Sequence, residues 1–271
     1  MAKQPGWVPH GVIPAVLLPF NEDLSIDEAS YCSHLRDVCA VEGLSALTTN
    51  AHASEVASCS FEEQERVLAI TVDEVGARIP VVNGVYAENG LEAARIARMA
   101  HDGGASALLV FPSGVFTFGQ RPEMAVDHFR RIADASDLPL ILFQYPLAGG
   151  QGYPLSTLSK ILDAVPTVRA IKDWCSNPQL HERHVRLLQS RSPAVNDRIW
   201  PTAEVFYSEP WVDMHNRMKE ALVLLGRLPR AVVRPPLMKL PAAEIERIRQ
   251  ALVAAGLLAN QAAVKKVASL A

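Results

Sequence analysis

Over the first 190 residues, short apolar runs alternate with amphipathic stretches at a steady interval. The strand-like runs are 11–20, 44–50, 79–85, 105–112, 138–146 and 168–173. Between them, apolar positions recur with helical spacing over 26–41, 61–75, 90–101, 122–135, 154–164 and 178–189. A repeat of roughly 30 residues from strand to strand is the spacing of successive βα units in a parallel sheet. The strands are almost continuously apolar, as in Leu138-Pro-Leu-Ile-Leu-Phe143. That pattern belongs to strands covered on both faces.

Six such units predict an α/β fold of the TIM (β/α)8 type, with a doubly wound open sheet as the competing arrangement. The residues after the strands separate the two. No Gly-rich phosphate loop follows any strand, so a nucleotide-binding open sheet lacks its usual mark. Polar residues gather instead at Asn50-Ala-His-Ala-Ser-Glu55, Asn83-Gly-Val-Tyr86, Gln144-Tyr-Pro146 and Lys172-Asp173. A barrel places all four groups around one mouth, at the strand C-termini where such folds carry their chemistry.

After Ser190 the rhythm changes. Helical patterns at 195–207, 214–225, 241–255 and 261–270 follow with no strand run between them, and prolines at 229, 235 and 236 precede the last pair. The expected division is a barrel over 1–210, short of its last two strands, and a helical region over 211–271. Two absent units correspond to about 45 residues and would leave unpaired strand edges.

Composition narrows the class. The 271 residues are 49 % hydrophobic and 20 % charged, with a net charge of −3, which gives no electrostatic case for nucleic acid or an anionic membrane. No apolar run reaches the ~20 residues of a membrane span, and the first residues lack a signal-peptide core. Cys32, Cys39, Cys59 and Cys175 show no paired metal spacing and are expected to be reduced residues of a cytoplasmic protein. No cofactor or metal is expected; His181-Glu-Arg-His184 is read as the charged outer face of a helix.

Lys172 ends an apolar strand, where desolvation lowers an amine's pKa toward nucleophilic competence. The alternative is a lysine turned into solvent and paired with Asp173. His52 is a candidate proton carrier, or else a loop histidine bonded to backbone.

Several ordered segments bear on that choice. Gly11-Val-Ile-Pro-Ala-Val-Leu-Leu-Pro-Phe20, Pro80-Val-Val-Asn-Gly-Val85, Ala107-Leu-Leu-Val-Phe-Pro112, Leu138–Pro146, Ala170-Ile-Lys-Asp173 and Arg234-Pro-Pro-Leu237 together resemble the dihydrodipicolinate synthase / N-acetylneuraminate lyase family. The resemblance runs over nearly the whole chain. It implies a class I aldolase or lyase in which Lys172 forms an imine with pyruvate or a related 2-keto acid. It also implies a homo-oligomer, often a tetramer.

The family's Gly-Thr-Thr-Gly-Glu carboxylate loop matches Ala51-His-Ala-Ser-Glu55, which makes the Ala53 and Ser54 amides, with the Ser54 hydroxyl, the expected carboxylate donors. A register using Thr48-Thr49 would misplace Glu55. The family's proton-relay tyrosine matches Phe143, expected to line the substrate site. Tyr145, two residues on, substitutes for it, lines the pocket or packs. The arginine that binds the second substrate in the synthase matches Ala148, and Phe111-Pro-Ser-Gly-Val-Phe116 lacks the family's other tyrosine. These departures argue against the synthase reaction itself. They leave two readings: a 2-keto-acid aldolase or lyase, and a catalytically degenerate relative retaining at most keto-acid binding.

Overall fold

The computed structural model of the protein describes residues 7–189, 205–255 and 257–258. They fall into two compact units, one drawn from within 1–16 and 38–195, the other from within 17–37 and 196–271.

The first unit is built on a five-stranded parallel sheet in sequential order: β1 (Leu47–Thr49), β2 (Val81–Val85), β3 (Ala107–Val110), β4 (Leu140–Gln144) and β5 (Val168–Asp173). Helices α2 (Phe61–Val75), α3 (Gly90–Asp102), α4 (Pro122–Ala135) and α5 (Leu155–Ala164) connect successive strands, and α6 (Pro178–Gln189) follows β5. Three of the four connecting helices start where the sequence has a start signal. Ser60 caps α2 through a reciprocal capping box with Glu63, Asn89 accepts from the amides of Leu91 and Glu92, and Pro122 opens α4.

All residues of β1 to β4 are buried, as their continuous apolar runs require. β5 differs: after Val168 its residues are exposed or half-buried. Among the described residues it pairs only with β4, so it forms one edge of the sheet. At the other edge, the apolar run 11–20 meets β1 at Ala15–Thr48, and the segment before β1 at Val12–Leu44, through isolated bridges rather than a full ladder. Pro14 and Pro19 have no N–H to donate, which shortens the pairing. Gly84 in β2 is required by a close approach, since a Cβ there would lie 1.8 Å from the Asn50 carbonyl oxygen.

The architecture is thus a parallel α/β sheet of the TIM-barrel kind followed by C-terminal helices, with no strand after β5 among the described residues. The helix expected at 261–270, and most of that at 195–207, lie outside the described residues.

The second unit contains α1 (Glu28–Cys39) over most of its length, α7 (Met214–Leu224) and α8 (Ala242–Ala254). Its core is Ala221, Leu240, Ile248 and Leu252. His34 is buried, and its Nε2 accepts from the Leu17 amide at 3.1 Å. Burial lowers its pKa to about 4, and Arg227 adds to this while Asp37 opposes it. Between about pH 6.5 and 4 the unfolded chain therefore binds a proton that the folded chain refuses. Stability should fall through that window by about 3 kcal/mol more in the wild type than in His34→Gln, measured by urea unfolding at each pH. Parallel profiles would show that His34 is not the group responsible.

Candidate active site

Lys172 is the fifth residue of β5, in register with Phe143 of β4. Its Nζ lies 4.2 Å from the centre of the Phe143 ring. The residue is half-buried, but its amine is desolvated enough that the pKa drops from 10.5 to about 8. At neutral pH this raises the free-amine fraction roughly three-hundredfold. The alternative of an ion pair with Asp173 is set aside, because the Asp173 carboxylate accepts from His181 and His184. Neighbouring strand residues point to opposite faces, which separates Lys172 from Asp173.

Phe143 is one ring of a cluster at the strand ends. Its ring centre is 4.8 Å from that of Tyr145, 5.2 Å from Phe111 and 5.9 Å from His52. Tyr86 and Trp174 complete the group, with ring centres 5.9 Å and 6.4 Å from His52. Most contacts are edge-to-face, the arrangement aromatic quadrupoles favour. The cluster continues inward over Ala46, Val82, Ala107, Leu109 and Ile141. A water-poor floor beside the amine follows from this composition, and it is the physical cause of the lowered Lys172 pKa.

His52 opens a single helical turn, His52–Ser54, just after β1. Its Nε2 is hydrogen-bonded to the Tyr145 hydroxyl, so two candidate proton carriers predicted from separate loops form one pair. Burial raises the Tyr145 pKa well above the usual phenol value, with Tyr86 and Tyr153 contributing. The phenol is therefore neutral and able to donate at physiological pH. Thr48 and Thr49 lie within the β1 ladder, which leaves the turn after the strand to His52, Ala53 and Ser54.

One expectation at this turn is corrected. Ser54 was expected to offer an amide and a hydroxyl to a carboxylate. Its amide donates to the Ala51 carbonyl at 3.0 Å and its hydroxyl to the Val16 carbonyl at 2.8 Å. Both donors are engaged, one within the turn and one to the segment before α1, which leaves the Ala53 amide as the candidate of that pair. Ala148 sits exposed in the short turn Leu147–Gly149.

A second correction concerns α6. His181 is exposed as expected, but His184 on the same helix is 1 % exposed. Tyr86 comes from one of the four groups expected at the mouth, whereas Phe111 and Trp174 were absent from the expected site. The signal for Trp174 was its spacing of two from Lys172, which puts both on one face of the strand line.

The sequence profile of the dihydrodipicolinate synthetase family matches residues 8–194. A 4-hydroxy-tetrahydrodipicolinate synthase of Methanothrix thermoacetophila is 31 % identical over 189 residues, which cover 69 % of this chain and 61 % of that protein. The chain spans about half to three-fifths of the length of the curated relatives it matches. Among solved structures, a monomeric dihydrodipicolinate synthase variant superposes with a TM-score of 0.77 at 20 % identity, covering 92 % of this chain and 97 % of that one. YagE, a prophage protein of E. coli K12 from the dihydrodipicolinic acid synthase family solved with pyruvate, gives 0.73 at 20 % identity, over 92 % and 99 %. The structural likenesses establish the fold, and the profile establishes descent: the chain belongs to the dihydrodipicolinate synthetase family.

Proposed function

We propose that the protein is a class I, Schiff-base aldolase or lyase acting on pyruvate or a related 2-keto acid, and that it is not dihydrodipicolinate synthase itself. The observation that carries this reading is the desolvated Lys172 amine over the Phe143 ring, beside the His52–Tyr145 pair. A neutral amine attacks the ketone carbon, the carbinolamine loses water, and the protonated imine then draws electrons from the neighbouring carbon. Proton transfer in these steps falls to Tyr145 and His52, and the Ala53 amide faces the carboxylate. The exclusion of the synthase reaction rests on Phe143 and Ala148, which stand where the resemblance leads one to expect a relay tyrosine and an arginine. YagE was solved with pyruvate, which supports the same small keto acid here.

Borohydride reduction in the presence of pyruvate tests the proposal. The expected product is one reduced pyruvate per chain, located on Lys172 by peptide mass spectrometry. A folded protein that gives no adduct with pyruvate or other short 2-keto acids would overturn it.

A degenerate relative is the second reading, favoured by the half-exposed edge strand that carries Lys172 and by the engaged Ser54 donors. It predicts an upward melting shift with a keto acid but no turnover. Assembly as a homo-oligomer and the division at residue 210 also stand as proposals, the first on family resemblance and the second on the change of sequence rhythm.

A further inference from the structure

On the face of β5 opposite Lys172, three potential metal ligands converge. Asp173, Cys175 and His184 each offer an atom, and these atoms all lie within 4.8 Å of one another. Two ligands on one tetrahedral zinc ion lie about 3.3–3.8 Å apart, given metal–ligand bonds of about 2.0–2.3 Å. Small side-chain adjustments therefore bring all three onto one ion. Asp173 Oδ2 accepts from His184 Nδ1 at 2.7 Å and also from His181 Nδ1 at 2.8 Å, which places a fourth candidate ligand beside the cluster.

We propose that Asp173, Cys175 and His184, with His181 as the outer ligand, form a binding site for a zinc-class divalent cation. A thiol, imidazoles and one carboxylate form the donor set of a borderline-soft ion, and they disfavour magnesium or calcium, which take oxygen.

The competing view is a hydrogen-bonded pair that merely pins α6 to β5. That view leaves two features unexplained. His184 is 1 % exposed, yet its Nε2, a metal-ligating atom, has no hydrogen-bond partner. Nor does a pin require the 7 % exposed thiol of Cys175, which donates to the Asn177 carbonyl at 3.3 Å while its own amide donates to Asp173 Oδ1 at 3.0 Å. Asp173 and His184 are buried side chains, while His181 is 58 % exposed. The site thus has a fixed inner part and one ligand open to solvent, by which an ion can enter. It uses none of the residues assigned to imine chemistry, so it stands or falls apart from that reading.

The test uses the full chain without a histidine tag, stripped with a chelator and titrated with Co2+. The expected result is one Co2+ per chain, with visible bands of four-coordinate intensity and a near-ultraviolet thiolate-to-cobalt band. Cys175→Ser should erase the near-ultraviolet band, and His184→Gln should weaken Zn2+ binding at least tenfold. If those variants fail to fold, alkylation of the wild type decides. Zn2+, but not Mg2+, should protect Cys175 from iodoacetamide under mild denaturation, with Cys32, Cys39 and Cys59 as internal controls. No Co2+ uptake by the folded wild type, a near-ultraviolet band that survives Cys175→Ser, or equal alkylation of Cys175 with and without Zn2+ would each overturn the proposal.

Discussion

Lys172→Met should abolish the borohydride-trapped adduct completely and, at pH 7, make the protein more stable by about 1–3 kcal/mol. The first effect follows from removing the atom proposed to form the imine. The second follows from where that atom sits. In the unfolded chain the amine has its ordinary pKa near 10.5, whereas in the folded protein burial holds it at about 8. The unfolded chain thus binds the proton more tightly, and folding is penalised at every pH below about 8.

The full difference corresponds to about 3.4 kcal/mol. The half-buried stem and the Phe143 ring beneath the ammonium return part of it, hence the lower range. Methionine fills a similar volume without a charge, so the gain should be largest near neutrality. It should then fade between about pH 8 and 10.5 as the wild type sheds its proton. Urea unfolding of both proteins at pH 7, 9 and 10.5 measures it. Equal stability at all three pH values would mean that the amine is solvated after all. An adduct persisting in the variant would mean that another amine is the nucleophile. Greater stability at the expense of chemistry is the expected signature of a functional residue held in an unfavourable environment.

Lys172 stands out in the sequence because a lysine closing an apolar strand breaks the local pattern, and breaks of that kind concentrate at functional sites. The βα order was legible for the opposite reason, since nothing breaks it. Leu138–Phe143 reads as a doubly covered strand and β4 is one, while Ser60, Asn89 and Pro122 announce helices that begin there. What local pattern does not contain is who meets whom. His52 and Tyr145 are 93 residues apart, and their hydrogen bond depends on two loops reaching the same end of the sheet. Ser54 looked available because its hydroxyl was counted without its partner, the Val16 carbonyl, 38 residues earlier. His184 was placed on an outer helix face because neighbouring residues of α6 are polar. Only the turn of the chain after β5 puts it against Asp173 and Cys175. Over 11–20 the apolar pattern alone predicts a strand, whereas Pro14 and Pro19, which have no N–H to donate, account for bridges in place of a ladder.

In the second unit, Arg217→Met should destabilise the helices by about 3–5 kcal/mol, enough to unfold that unit separately. Arg217 is 1 % exposed, and few arginines are so deeply buried unless every donor is engaged. Here the guanidinium joins α7 to α8 and to the preceding loop. Nε donates to Glu244 Oε1 at 2.6 Å, Nη1 to the carbonyls of Ser208 at 2.7 Å, Pro210 at 3.2 Å and Phe206 at 3.3 Å, and Nη2 to that of Glu209 at 3.3 Å. Burial pushes the Glu244 pKa up, but the hydrogen bond and charge of Arg217, helped by Arg247, outweigh it and hold the carboxyl below its usual value. Methionine approximates the aliphatic stem but strands four backbone carbonyls and leaves the Glu244 carboxylate to the exposed Arg247 alone, which is the costly half of breaking a buried pair. Glu244→Gln should lose far less, because the amide oxygen still accepts from Nε and the carbonyls keep their donors. Limited proteolysis with mass spectrometry should show cleavage near residues 206–210 in Arg217→Met, with the βα sheet still protected. Equal losses in the two variants would assign the stability to the charge pair alone rather than to the carbonyl cage around Arg217.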